Sequence, residues 1–471
     1  MPSMTFRRPS PVPALLGLGL FLLSGCGPAP RPASVLLISI DTLRADHLGT
    51  YGYARSTSPR IDALAKEGVL FQKTYATVPR TTQSVATLLT GLYPKHHRAR
   101  GLFSPLLPAN TTLAEILKDR GYATWAVVSN LFLQPGKGFE QGFDSYSNPR
   151  SRFGGDSSSQ ITDEALAKLR QADERPFFLW VHYLDPHWTY EPEPAFASRF
   201  DPGYEPSEAM KALQEGKFQK GDIIFNNTLA EPDRRHLIAL YDGEIAQVDA
   251  QVGRLMDGIS QAVRRGMLIV LTSDHGESLC EHGCCFAHGE TLYDDTLRVP
   301  LLFIFPGKLF PGQRVERNVS LLDVAPSVLR LLGLPGRPGM DGIPLFATTA
   351  NGFVPSGSHD LLFAETDYQL IHAANPRFLL RGARGRWSGV RQDSAKLIRI
   401  PQPEGPLHEL FDLASDPLES HPLPSSTLPE ASRLMRELDT WTDYEEGAGS
   451  LLEDSLSAEQ RQRLRSLGYL Q

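Results

Sequence analysis

Ser34-Val35-Leu36-Leu37-Ile38-Ser39-Ile40-Asp41 is a nearly continuous apolar, β-branched run that ends abruptly in a carboxylate. Apolar residues on both alternating faces suit a strand buried on both sides of a parallel sheet. Asp41 then stands at the carboxyl edge, where ligands collect in open α/β sheets. Working outward, the same texture recurs at Tyr122 to Val128, Phe177 to Tyr183, Gly266 to Thr272 and Val299 to Phe305. Helical spacing lies between these runs, at Ser58 to Glu67, Leu113 to Asp119, Asp163 to Gln171 and Leu237 to Met256. The alternation predicts a large α/β/α sandwich around a mostly parallel central sheet.

Beyond Pro355 the long helices stop. Short β-type pieces such as Phe378 to Arg381 and Ala395 to Ile400 predict a small antiparallel sheet at the C-terminus, with tail helices at Leu428 to Leu438 and Ala458 to Leu467. The catalytic body is thus expected over 34–354 and the small subdomain with its tail over 355–471. A polar insert, Phe196 to Asn226, is expected as a lid.

The first residues read as an address. Arg7 and Arg8 precede an apolar run, Ala14 to Leu23, too short to span a membrane as a mature helix. Leu23-Ser24-Gly25-Cys26 resembles a bacterial lipobox, which implies a signal peptide over 1–25, lipid on Cys26 and a Pro-rich tether over 26–33. The expectation is a lipid-anchored chain of the bacterial cell envelope, its body in the periplasm or outside the cell. The net charge of −7, with no basic stripe, argues against nucleic acid as a partner. Cys280, Cys284 and Cys285 lack zinc-ribbon spacing, and two readings stay open, a bridge from Cys280 to Cys284 or Cys285 in an oxidising compartment, or three unpaired thiols.

Chemistry concentrates at strand ends. Asp41, then Asp185 with His187, then Asp274 with His275 follow three of the predicted strands, and His282 and His288 follow in the next loop. Carboxylates and imidazoles at neighbouring strand ends make metal sites. Thr81 opens a stretch running to Leu92-Tyr93-Pro94 whose small polar start reads as a helix N-terminus. A hydroxyl there sits where free N–H groups and the helix dipole favour an anion.

Several pieces together, in order, resemble the sulfatase family of the alkaline-phosphatase superfamily over nearly the whole chain after Cys26. They are Val35 to Asp46, Thr81 to Pro94, Gly121 to Thr124, Gly142-Phe143-Asp144, Asp185-Pro186-His187, Ser273 to Gly276, Leu321 to Pro326 and Glu409 to Leu413. The family's nucleophile is the Cys or Ser of Cys-x-Pro-Ser-Arg, converted to formylglycine. Here that position is Thr81, with Gln83 and Val85 at the Pro and Arg positions, and a threonine cannot give the aldehyde. The metal ligands implied by the resemblance are Asp41, Asp274 and His275. Imidazole in place of an amide favours zinc or manganese over calcium, as one or two ions.

Thr81 would be the nucleophile, with His187 and His288 stabilising charge and the leaving group, and Arg80, Asn130 and Asp185 contacting substrate. The expected activity is metal-dependent hydrolysis of phosphate or sulfate esters on a small-molecule, glycan or lipid substrate. Ser273 to Gly289 is also similar to phosphoethanolamine transferases, which makes group transfer one alternative and a non-catalytic binding protein another.

Overall fold

The computed structural model describes residues 32–149, 157–172, 174–214, 229–367, 385–424 and 426–442. From Ala33 onward the chain forms one compact unit, distinct from Met1–Pro32. The expected lipobox, the strand at Phe378 to Arg381 and the last tail helix lie outside the described residues.

The strands in chain order are β1 (Ser34–Ile40), β2 (Val69–Tyr75), β3 (Ala123–Val128), β4 (Ser145–Ser147), β5 (Phe177–Tyr183), β6 (Met267–Ser273), β7 (Ser278–Leu279), β8 (Cys285–Ala287), β9 (Arg298–Ile304) and β10 (Gln313–Ser320). Then come β11 (Phe346–Thr349), β12 (Gly352–Pro355), β13 (Leu362–Asp367), β14 (Arg386–Gln392), β15 (Ala395–Ile400) and β16 (Leu407–Asp412).

Eight of them form the central sheet in the order β10-β2-β9-β6-β1-β5-β3-β4. Every neighbouring pair is parallel except the two made by β9, which runs against β2 and β6. The sheet is therefore mixed but mostly parallel, as expected. Two strands that the sequence reading did not mark, β2 and β10, complete the β10 edge. The four-stranded sheet β13-β14-β15-β16 is antiparallel throughout.

The alternation of β1 builds both layers. Val35 and Leu37 face one core, which the helix Thr81–Thr90 joins through Val85, Ala86, Leu88 and Leu89. Leu36, Ile38 and Ile40 face the other, closed by the helix Glu231–Asp257 through Tyr241, Ile245, Val248 and Val252. This burial of apolar side chains on both faces holds the central strands in place.

Predicted boundaries shift mostly at helices. The helix expected over Asp163 to Gln171 begins earlier, at Ser157, and that over Leu237 to Met256 is extended to Glu231–Asp257. The tail helix is Ala431–Thr442, which buries Leu434, Leu438 and Trp441. Just before the insert, Glu191 and Glu193 donate backbone N–H groups to Glu244 and Gln247 of the long helix, and residues 215–226 of the expected lid lie outside the described residues.

The register places the site. Ser39 lies beside His182, and Ile40 lies between Tyr183 and Ser273. Val128 lies beside His182 on its other side. Residues just past β3, β1 and β6, together with the end of β5, therefore meet along one edge of the sheet.

Candidate active site

Asp41 follows β1 and is wholly buried. Its Oδ2 accepts a 2.6 Å hydrogen bond from Asn130 Nδ2, just beyond β3, and its Oδ1 has no hydrogen-bond partner. Asp274 follows β6, the adjacent strand. Its Oδ1 accepts from the His275 backbone N–H at 3.0 Å and Oδ2 is left without a partner. His275 Nε2 stands 3.6 Å from Asp41 Oδ1 and 3.5 Å from Asp274 Oδ2. The other ring nitrogen, Nδ1, lies 2.9 Å from the Gly276 carbonyl, which only accepts. Nδ1 therefore carries the proton, and the Nε2 lone pair faces the two carboxylates.

The backbone here is strained and clamped. Thr42, a β-branched residue, adopts φ +54°, a left-handed conformation that costs such residues on the order of 1–3 kcal/mol. Tyr241 Oη holds it, donating 2.7 Å to the Thr42 carbonyl while accepting from Arg44 N at 3.0 Å. Ser273 Oγ accepts from Leu43 N and donates to the His275 carbonyl, tying the loop after β1 to the loop after β6.

Thr81 is the first residue of the helix Thr81–Thr90. Three hydroxyls lie in that first turn. Thr82 donates to the Leu102 carbonyl at 2.6 Å and Ser84 to the Asp274 carbonyl at 2.6 Å. Thr81 Oγ1 instead lies 3.4 Å from His275 Nε2, at the helix N-terminus and beside the carboxylates. Arg80, just before it, is turned aside. Its guanidinium donates to the Gly289 carbonyl, and a Cβ on Gly289 would meet Arg80 Nε at 2.4 Å. Gly289 also sits at φ +89°, so only glycine fits there.

Two more imidazoles close the site. His187 Nδ1 donates to the Trp188 carbonyl at 2.6 Å, and His288 Nδ1 pairs with Glu277 Oε1 at 3.1 Å. The His288 ring lies 4.5 Å from His275 and 4.9 Å from His187, so three imidazoles line one wall.

The remaining predicted residues make other contacts. His282 turns away and stacks on Tyr293 at 3.7 Å. Asp185 Oδ2 accepts from Ser158 Oγ at 2.6 Å, and Asn130 gives one amide hydrogen to Asp41. Asn130 thus braces Asp41, and Asp185 is tied to the start of the helix that begins at Ser157. Arg80 likewise holds the Gly289 loop. The cysteine pairing left open by the sequence is Cys280 with Cys285, while Cys284 is buried outside the bridge.

His182 is the residue that sequence reading missed. It is wholly buried on β5, and its Nε2 lies 3.6 Å from Asp41 Oδ2. The one signal was a histidine inside the otherwise apolar and aromatic run Phe177 to Tyr183.

The electrostatics ask for a cation. Burial alone would raise the Asp41 pKa, but His182, His187 and His275 outweigh it and hold the carboxyl well below the usual range. Burial, then the Asp41 carboxylate, push Asp274 up to about 6. Asp41 Oδ1, Thr42 Oγ1, Asp274 Oδ2 and His182 Nε2 are all buried without hydrogen-bond partners. Polar atoms left so in one corner are costly unless something charged completes them. Two carboxylates with imidazole beside them fit a divalent transition ion.

The similarity of this chain to known proteins points to one family. The Sulfatase family model matches residues 33–334, and a model for the C-terminal part of N-sulphoglucosamine sulphohydrolase matches 281–440. The steryl-sulfatase of Rattus norvegicus is 27% identical, with 90% of this chain and 91% of that protein covered. The Delta 4,5-hexuronate-2-O-sulfatase of Bacteroides thetaiotaomicron is 24% identical, with 89% and 90% covered. The crystal structure of the phosphonate monoester hydrolase of Agrobacterium radiobacter superposes with a TM-score of 0.69 at 25% identity, over 87% of this chain and 95% of that one. On the family match, which spans most of the chain, and on the fold it shares, the chain belongs to the sulfatase family.

Proposed function

We propose that this ester hydrolase acts on phosphate or sulfate esters through the unmodified hydroxyl of Thr81, with a divalent ion held by Asp41, Asp274 and His275. The carrying observation is the Thr81 hydroxyl itself. Of the hydroxyls in its helix turn, Thr82 and Ser84 are committed to backbone carbonyls, while Thr81 Oγ1 faces His275 and the carboxylates.

When bound by Asp41, Asp274 and His275, a divalent ion would supply the positive charge that lowers the hydroxyl pKa toward neutrality. Thr81 loses its hydroxyl proton to solvent, and its Oγ bonds to phosphorus or sulfur as the bond to the ester's alcohol oxygen breaks, with the helix N-terminus favouring the added negative charge. His187 and His288 have Nδ1 fixed by Trp188 and Glu277, so as imidazolium ions they would donate from Nε2–H to the equatorial oxygens and give the departing alkoxide its proton. Water then hydrolyses the Thr81 ester. Zinc or manganese suits the mixed nitrogen and oxygen donors better than calcium, which prefers oxygen alone. A lipid anchor on Cys26 would hold this body outside the cytoplasm, a placement that the Cys280–Cys285 bridge supports.

The test compares aryl phosphate, aryl phosphodiester and aryl sulfate for wild type and Thr81→Ala, with bound metal measured in both. Phosphoester or sulfate turnover that vanishes in Thr81→Ala while metal content is kept is the expected result. Turnover surviving in Thr81→Ala would remove the threonine from the mechanism and leave water as the attacking group.

A further inference from the structure

His182 has an ordinary explanation available, a core histidine satisfied by its neighbours. The structure does not satisfy it. Its Nδ1 lies 2.8 Å from Ser39 Oγ, but Nε2 is buried with no hydrogen-bond partner. Asp41 Oδ2, 3.6 Å away, is too far for a hydrogen bond and already accepts from Asn130. A buried imidazole nitrogen without a partner is costly, and two carboxylate oxygens of the same site, Asp41 Oδ1 and Asp274 Oδ2, are in the same condition.

Donor atoms of Asp41, His182 and Asp274 lie within 4.8 Å of one another. His275 Nε2 lies within 3.6 Å of both carboxylates. Nitrogen and oxygen donors about 2.0–2.1 Å from a tetrahedral ion stand about 3.4 Å apart, so the 3.5–3.6 Å separations need little adjustment, while the widest pair of the group has up to about 1.4 Å to close.

We propose that His182 is a ligand of the catalytic ion, joining Asp41, Asp274 and His275, with Ser39 as its positioning residue. The proposal rests on the metal-dependent reading above. Ser39 Oγ accepts from Trp180 Nε1 at 2.8 Å and has a second lone pair for His182 Nδ1–H. That arrangement leaves the Nε2 lone pair for the ion and fixes the ring plane, as outer hydrogen bonds do at metal-bound histidines. The register makes this arrangement possible, because Ser39 and His182 lie side by side on β1 and β5. Thr42, the residue after Asp41, offers no carboxylate. His182 reaches the same corner from the neighbouring strand. Thr81 Oγ1 becomes the fifth donor, a number that zinc reaches during catalysis.

The test uses the full chain, stripped with a chelator and loaded with one equivalent of Co2+. Proton NMR then counts the strongly shifted, exchangeable Nδ1–H signals of cobalt-bound imidazoles. Wild type should give two, from His182 and His275. His182→Ala and His275→Ala should each give one, and Thr81→Ala should keep both. Chelator competition should show Co2+ binding weakened by at least about 100-fold in His182→Ala and by about 10-fold in Ser39→Ala. His182→Gln keeps the side-chain volume and should show the same loss of signal, which separates ligation from packing. Wild type with one signal that persists in His182→Ala and His182→Gln at unchanged affinity would overturn the assignment alone. Wild type that takes up no Co2+, zinc or manganese would overturn the metal reading with it.

Discussion

The helix that presents Thr81 is braced from behind by His97, and this brace makes the fold sensitive to acid. His97 is wholly buried. Its Nδ1 accepts from Ala99 N at 3.1 Å, so the proton of the neutral ring is on Nε2, 3.3 Å from Thr87 Oγ1 in the same helix as Thr81. A second proton would have to enter at Nδ1, against the Ala99 N–H. Burial first, and then the nearby Arg100 charge, lower the pKa from 6.5 to about 3. Because the folded-state pKa lies below the unfolded one, the unfolded chain binds the extra proton between these values. Stability therefore falls as pH falls, by about 1.4 kcal/mol per unit below 6.5, which is about 2 kcal/mol at pH 5. His97→Asn keeps an acceptor for Ala99 N, loses the hydrogen bond to Thr87 at about 1 kcal/mol at every pH, and cannot titrate. Urea unfolding at pH 7 and pH 5, with chelator present, should show wild type losing about 2 kcal/mol more than His97→Asn over that interval. Equal losses in the two proteins would show that His97 takes up its proton without leaving its place, and the linkage argument would fail.

Other expectations follow from the same side-chain network. Asp294 receives Lys396 at 2.7 Å and also pairs with Arg391, both buried cations of the small sheet, so Asp294→Asn should cost about 3–5 kcal/mol in urea unfolding. A loss under about 1 kcal/mol would mean that the pair is solvated. Replacing both Cys280 and Cys285 by serine opens a short loop and should cost about 2 kcal/mol, read as a lower unfolding temperature that reductant no longer changes. Cys26→Ser should move the chain from the membrane fraction to the soluble fraction in a bacterial host, and a wild type already soluble would remove the anchor.

Local sequence carried the central strands because their signal is local. β5 appears at its predicted bounds since Phe177 to Tyr183 is buried at every position, which a continuous apolar run announces. β10, Gln313–Ser320, carries Arg314, Glu316 and Arg317 on an edge of the sheet, so its polar face hides the strand period. The direction of β9 is set by its partners rather than by its own residues. The site divides in the same way. Asp41, Asp274 and Thr81 stand at ends of elements, where a polar residue after an apolar run is conspicuous. His182 lies inside such a run, and periodicity alone assigns it to the core. Its meaning arises only when sheet order brings β5 beside β1 and the register sets it against Ser39. His282 errs in the opposite sense, for proximity in sequence to His288 suggested a shared site. The loop closed by Cys280 and Cys285 instead turns its ring onto Tyr293. A donor's neighbours in space are fixed by strand pairing and loop closure, so residues whose role depends on register are the ones a sequence conceals.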